Sequence, residues 1–383
     1  MTPYFPPEVN GVSLVVEKHA LGFVKRGHQV TIVTSLLNSQ APRNVLGINI
    51  IEFPVKGGPL PNNFYKGSLV KYILYIRRSV KEYDVVFFHC WQIWSTDLLI
   101  FQRKKKIDAR IIMVSHCSPR VNFSSFLESF RSLILMAYRR IFLPILIRKF
   151  DDIVFLSDKA SGDIQWDYRY TLEKYKEKVH IIPNGMDNFI DHIGPNIGIN
   201  VNQKRKFLYV ANYDRIKNQK LALEVFIEVN KMVKNVSLVF VGSVENRISN
   251  ELKFIISRNN LSDRVEVLSG LSRSEIQYLY SKSFVTLFTS KTECLPMSVL
   301  ESIYHKKPVI STNVGSIEQI PGVVICKTKE ELICKAQLML GNEEYYNNKV
   351  RDISIQSHKF MWHCILDRYE EMIMNKPNSK SCQ

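Results

Sequence analysis

The sequence predicts an α/β protein: two Rossmann-like, doubly wound parallel-sheet domains facing each other across a cleft. Three observations predict it. At 383 residues and 44.5 kDa the chain is too long for one compact core. Twelve short apolar runs alternate with amphipathic stretches, the pattern of strands buried on both faces and joined by helices. One segment, Asp187–Arg205, carries Gly194, Pro195, Gly198 and several asparagines and breaks the series into two halves.

In order, the runs of the first half are Gln29–Ser35, Ile48–Pro54, Asp84–Cys90, Arg110–Cys117, Asp152–Asp158 and Val179–Gly185. Those of the second half are Phe207–Tyr213, Ser237–Ser243, Val265–Gly270, Phe284–Ser290, Pro308–Val314 and Gly322–Lys327. This divides the chain into a first domain over residues 1–190, a linker over 191–205 and a second domain over 206–353. The last amphipathic stretch, about Ser354–Asn375, lies beyond the second sheet, so residues 354–383 are expected to form a helix of their own. Open parallel sheets bind ligands beyond the carboxyl ends of their strands, so function is expected in the loops that follow the strands.

The balance of 52 basic against 36 acidic residues, a net charge of +16, calls for an anionic partner: nucleic acid, a phosphorylated substrate or an anionic membrane surface. The seven cysteines form no C-x-x-C pair, and reduced thiols without a metal site are the plain expectation. The opening residues Met-Thr-Pro-Tyr-Phe-Pro-Pro do not read as a signal peptide, and no run of some 18 consecutive apolar residues occurs.

Five loops carry candidate chemistry. Pro6–Val12 opens a helix with Gly11, whose bare backbone admits an anion; a plain turn has the same look. His89 and His116 each follow a strand, where a histidine is as readily structural as functional. Val210–Asn218, with Asn212, Arg215 and Lys217, leaves a strand and enters a helix. A lysine at a helix amino terminus opposes the dipole unless an anion lies between them. The stretch Thr289-Ser-Lys-Thr-Glu-Cys-Leu-Pro-Met-Ser-Val-Leu-Glu-Ser-Ile303 runs from a strand into a second helix, with Pro296 in the first turn and amides available over Cys294–Ser298. Two helix starts, a lysine and a glycine loop suit a diphosphate, and no acidic pair at a strand end suggests a metal. Acids beside a diphosphate repel it, so Glu293 and Glu301 suit hydroxyls instead, one from a sugar and one from a ribose. The alternative is that Glu293 caps the helix and Glu301 lies on a solvated face.

These residues resemble a family: the retaining GT-B glycosyltransferases of glycosyltransferase family 4, the "glycosyl transferases group 1" type. Glu293-Cys-Leu-Pro followed by Glu301 is similar to its E-x7-E signature, and Val210–Asn218 to its lysine-bearing turn. Val239–Gly242, Pro308–Gly315 with Glu318, His180–Asp187, Pro6–Val12, Arg26–Val30 and Phe360–Trp362 match further family segments in the correct order along almost the whole chain. The resemblance implies transfer of a sugar from a nucleotide-sugar with retention of configuration, a hexosyltransferase type of activity with no cofactor and no metal. Carried over, Lys217 would neutralise the diphosphate, helped by the amide of Gly11 and by those around Leu295–Ser298, where Leu295, Met297 and Ser298 carry an N–H and Pro296 sets the turn. Glu293 would hold the donor sugar, Glu301 the ribose, and His116 would meet the sugar from the first domain. Asn212, Arg215 and Lys217 would line the leaving group, and the last helix would cross back to the first domain.

The sequence departs from the family at Asn212 (often arginine), Asn10, Cys294 and Ser316 (glycines). Family members also carry a strand directly before the Thr2-Pro3-Tyr4 segment, and residues forming such a strand are expected upstream of Thr2. Elongation of a surface polysaccharide or lipid-linked glycan on the inner face of the cytoplasmic membrane is the leading expectation, with no nucleic-acid partner. An epimerase of the same shape and a non-catalytic nucleotide-sugar-binding relative are the alternatives. Residues 101–150 hold eleven basic against two acidic residues, and Phe126–Phe150 interleaves apolar side chains with Arg139, Arg140, Arg148 and Lys149. Such a segment is expected either to lie in an anionic membrane interface or to pack into the first domain's core.

Overall fold

The structure is a computed structural model that describes residues 1–6, 10–36, 45, 47–58, 63–102, 109–116, 126–159, 166–187 and 205–375. The chain forms two compact units, Met1–Asn184 with Trp362–Gln383, and Gly185–Met361. Each is built on parallel sheet covered by helices.

In the first unit α1 (Gly11–Lys25) precedes β1 (Val30–Ser35), which pairs in parallel with β2 (Ile48–Phe53). Asn10 caps α1 reciprocally with Ser13, so two of the orphan amides at the helix start are satisfied by side chains. A short antiparallel ladder joins β3 (Val55–Lys56) to β4 (Lys66–Gly67) ahead of α2 (Leu69–Ser79). Four parallel strands follow in simple order: β5 (Val85–His89), β6 (Arg110–Ser115), β7 (Asp152–Phe155) and β8 (Val179–Ile181). Their connections carry α3 (Trp94–Asp97), α4 (Phe126–Ala137), α5 (Leu143–Ile147) and α6 (Trp166–Lys174), with a π-turn over Tyr138–Phe142 between α4 and α5. The opening residues bridge β1 and β5: Thr2 donates its amide to Val33 (3.0 Å) and Met1 accepts from the His89 amide (3.1 Å).

The second unit is a six-stranded parallel sheet. Its elements are β9 (Arg205–Val210), α7 (Gln219–Met232), β10 (Val236–Gly242), α8 (Arg247–Arg258), β11 (Val265–Ser269) and α9 (Arg273–Lys282), then β12 (Val285–Phe288), α10 (Met297–Tyr304), β13 (Val309–Thr312), β14 (Val323–Cys326), α11 (Lys329–Gly341) and α12 (Glu343–Gln356). The spatial order is β11-β10-β9-β12-β13-β14. Every residue of β10 is buried, as a central strand covered on both faces requires. Phe207, Phe226, Phe240 and Leu287 anchor the core of this unit.

Each of the twelve apolar runs overlaps one of these strands. The β3–β4 ladder escaped sequence reading because Pro54, Gly57 and Gly58 interrupt it. The proposed linker lies almost wholly outside the described residues. The single helix expected over Ser354–Asn375 is corrected to two: α12 ends at Gln356, and α13 (Trp362–Met374) begins after a 3₁₀ turn. The break has a cause, because Met361 is extended and bridged to Met186, whose amide donates to Phe360 (2.7 Å). The α13 helix belongs to the first unit. There Arg26 forms ion pairs with Asp367 (2.6 Å) and Glu370 (2.5 Å), and His28 meets Glu370 at 3.0 Å.

Arg110 ties several of these elements together. Its guanidinium makes a two-pronged bond to the buried Asp152 (2.6 and 2.9 Å) and donates to the Ile373 carbonyl of α13 (2.6 Å). Arg110 and His180 together hold the Asp152 carboxyl below the usual carboxylate range against the opposing effect of burial. Removing one partner of a buried pair leaves the other uncompensated. Arg110→Ala is therefore expected to destabilise the first unit by about 3 kcal/mol or more in denaturant unfolding, and an effect under about 0.5 kcal/mol would contradict this role.

Candidate active site

The second sheet places its loops by topology. The chain enters at β9, winds outward through β10 and β11, then returns to β12 on the other side of β9 and winds outward through β13 and β14. Strand order thus reverses between β9 and β12, the point at which open α/β sheets leave a crevice at their carboxyl edge. The loops after β9 and β12 are the Val210–Asn218 and Thr289–Pro296 stretches singled out above.

Backbone bonds stitch these two loops together. Lys291 donates its amide to Ile216 (2.8 Å), and Thr289 Oγ1 donates to the Asn218 carbonyl (2.9 Å). Tyr209, buried at the end of β9, donates its hydroxyl to the Lys217 carbonyl. Asn218 precedes α7 in the left-handed region (φ 55°) with no side-chain cap, so the helix amides there are met by no side chain of their own. Lys217 is thereby held in a half-buried position, and its Nζ reaches Glu293 Oε1 at 2.5 Å. The lysine and the first glutamate, 76 residues apart in sequence, form one ion pair.

A third loop supports the second. Ser316 donates both its amide (3.1 Å) and its hydroxyl (3.0 Å) to the Cys294 carbonyl. Gly315 has φ +57°, and a Cβ there would lie 2.4 Å from the Cys294 oxygen and 2.6 Å from that of Glu293. Pro296 is the N-cap of α10 rather than its first helical residue, and no side chain caps that helix start. Leu295 and Pro296 are buried beneath it, with Met297 and Ser298 half-buried at its first turn. Among the described residues Cys90, Cys326, Cys334 and Cys364 are free thiols.

Glu301 lies in the second turn of α10 and is buried, not on a solvated face. Its Oε1 accepts from Arg273 Nη1 at 2.6 Å. Burial raises the Glu301 carboxyl above its ordinary range, while Arg273 and the Tyr280 hydroxyl pull it down. Sequence reading missed Arg273; the capping box Ser272–Glu275, which makes it the first residue of α9, was the available signal. Asn212 and Arg215 are exposed in the loop after β9, where Asn212 accepts from the Gln219 amide group at 2.8 Å and Arg215 pairs with no acid among the described residues.

In the first unit Gly11 is the exposed first residue of α1. His116 and His89, at the ends of adjacent strands, bond through Nε2 and Nδ1 at 3.1 Å. Burial lowers His116 to about 4 and His89 well below its ordinary value, so both rings are neutral at neutral pH. Of the four basic residues expected at a membrane surface, Arg140 and Arg148 are exposed. Arg139 is buried, and Lys149 is half-buried with its ammonium donating to the Ile100 and Gln102 carbonyls; both are corrected. Consecutive residues of any helical turn face different directions, and here Arg139 turns into the unit while its neighbour Arg140 turns to solvent. The segment itself is split: Leu135, Leu143, Leu146 and Ile147 enter the core, while Phe130, Leu133, Ile141, Phe142 and Ile145 are exposed.

Two sheet-and-helix units with a switch-point loop pair define a GT-B-type glycosyltransferase. The description "Glycosyltransferase Family 4" matches residues 9–188, and "Glycosyl transferases group 1" matches residues 196–348. The chain belongs to glycosyltransferase family 4 of the GT-B class. It is 21% identical over 397 residues to the alpha-1,3/1,6-mannosyltransferase of Rhizomucor pusillus, covering 91% of this chain and 82% of that protein. It is 26% identical over 169 residues to the capsular polysaccharide biosynthesis glycosyltransferase CapH of Staphylococcus aureus, a match to 44% of each protein. Among solved structures, HepE of Anabaena in complex with UDP has a TM-score of 0.72 at 14% identity, covering 98% of this chain and 99% of that one.

Two substitutions test the assembly of these loops. Lys217→Ala is expected to leave the melting temperature nearly unchanged while lowering sugar transfer by about 100-fold or more, the scale of one lost preorganised charge contact. Gly315→Ala is expected to fold and to lose activity as well, because the Glu293–Cys294 backbone must move. Wild-type turnover in both variants would remove the site from this position.

Proposed function

We propose that the protein transfers a sugar from a nucleotide-sugar donor to a glycan or lipid-linked glycan acceptor with retention of anomeric configuration, without a metal ion. The observation that carries this reading is the Lys217–Glu293 pair at the switch point. It offers a cation for a diphosphate and a carboxylate for sugar hydroxyls within one bond length of each other. On donor binding the diphosphate takes up the Lys217 ammonium, supported by the amides at the starts of α7 and α10. Glu293 then accepts hydroxyls of the sugar, and Glu301 accepts those of the ribose. As the glycosidic bond to the phosphate breaks, Lys217 stabilises the charge that develops on the leaving oxygen. The leaving phosphate takes the acceptor's proton on the same face of the sugar, so no side-chain nucleophile is required. The named role of CapH in capsular polysaccharide biosynthesis supports a surface-glycan setting.

A panel of nucleotide-sugars tests this directly. One donor is expected to raise the melting temperature and to be consumed only when acceptor is present, with the product's anomeric configuration unchanged and with activity retained in EDTA. A ligand at 100 times its Kd stabilises by about 2.7 kcal/mol. Turnover of donor to a stereoisomer without acceptor would favour an epimerase, and no stabilisation by any donor would favour neither enzyme.

We further propose that the protein works on the inner, anionic face of the cytoplasmic membrane as a peripheral enzyme. No helix among the described residues is long and apolar enough to cross a bilayer. The exposed Phe130, Leu133, Ile141 and Ile145 share the helical segment with the exposed Arg140 and Arg148, a combination that suits an interface with acyl chains below and phosphate headgroups above. Each basic group there adds about 1 kcal/mol. Co-sedimentation with anionic vesicles is expected at low salt, to weaken with salt, and to be lost in Ile141→Asp combined with Arg140→Gln and Arg148→Gln. Absence of sedimentation at low salt would leave the segment as a core helix only.

A further inference from the structure

We propose that Arg273 is a positioning residue for nucleotide binding: it fixes the orientation of the Glu301 carboxylate toward the ribose. The proposal rests on the reading of Glu301 as the ribose acceptor, and the experiment below separates the two. The geometry is specific. Arg273 is the first residue of α9, seated by the reciprocal cap between Ser272 and Glu275. From there it makes a single bond, Nη1 to Oε1 at 2.6 Å, to a carboxylate whose side chain is 11% exposed. A carboxylate has about four acceptor positions, so one end-on contact orients the group and leaves positions for hydroxyl donors. Two turns further along α9, Tyr280 is fully buried and donates to the Ser298 carbonyl of α10 at 2.9 Å. The α9 helix therefore grips α10 at two points, one through its backbone and one through the acid itself.

The charges around Glu301 show why a cation is needed there. The groups that face it are Arg273 and Tyr280 from α9, and Asp187 from the segment after β8. Asp187 opposes ionisation, as burial does, and Arg273 is the cation that favours it. A protonated Glu301 accepts fewer hydroxyl hydrogens, so the affinity that depends on it is present above its pKa and falls as pH drops through it. Without Arg273 the carboxyl titrates higher, and the acid limb of nucleotide affinity moves to higher pH. A bond that merely staples α9 to α10 moves neither the pH profile nor the discrimination between ribose and deoxyribose.

The test measures Kd for ADP, GDP, UDP and CDP and for their 2′-deoxy forms, from about pH 5 to 8, in the full chain. The wild type and Glu301→Gln, Arg273→Ala, Arg273→Gln and Arg273→Lys are compared, with melting temperature as the folding control. For the nucleotide that binds best, Arg273→Ala and Arg273→Gln are expected to weaken binding by about tenfold, the scale of a lost charge-assisted bond. They are also expected to reduce the preference for ribose and to shift the acid limb upward by about one pH unit or more. Arg273→Lys is expected to recover most of the affinity. If Glu301→Gln weakens binding while the Arg273→Ala and Arg273→Gln variants keep wild-type affinity and pH profile, Arg273 is a staple and the proposal is overturned. If Glu301→Gln itself binds ribo and deoxy forms as the wild type does, the ribose reading of Glu301 fails first.

Discussion

The reversal of strand order between β9 and β12 is the constraint on which the candidate site depends. A parallel sheet wound in one direction leaves each loop beside the helix of its own crossover. A sheet wound outward in two directions from a central pair leaves two loops side by side with no crossover between them. Lys217 and Glu293 meet for that reason, and the bonds from Lys291 to Ile216 and from Thr289 to Asn218 convert adjacency into a fixed distance.

What the topology brings together, electrostatics then balances. Both glutamates of the E-x7-E stretch have a basic partner: Glu293 has Lys217, and Glu301 has Arg273. The two pairs differ in kind. Lys217 is a compact charge on a flexible stem at an uncapped helix start, suited to changing partners when an anion arrives. Arg273 is a planar fork on a capped helix, suited to holding one. The loop around Gly315 and Ser316 carries no charge to the site but fixes the Glu293–Cys294 backbone from behind.

Much of this was legible in the sequence, and the reasons are local. Buried parallel strands read as continuous apolar runs, so all twelve announced themselves, and the lysine turn and the glutamate stretch sat directly after two of them. What was not legible depended on direction or distance. Arg139 and Arg140 are adjacent in the chain, and only how the helical turn sits on the core decides that one is buried and the other exposed. Arg273 is 28 residues from Glu301 and on another helix, so no spacing rule links them. The interruption between α12 and α13 comes from a bridge to Met186, more than 170 residues earlier in the chain.

A double-mutant cycle on Lys217 and Glu293 tests the central claim most directly. Donor turnover, expressed as kcat/KM, would be measured for the wild type, Lys217→Ala, Glu293→Gln and the double variant. If the two side chains act on one bound donor, the losses are coupled, and the interaction energy exceeds about 1 kcal/mol. Losses that add within about 0.3 kcal/mol, the behaviour of distant and independent sites, would contradict a shared site at the β9–β12 switch.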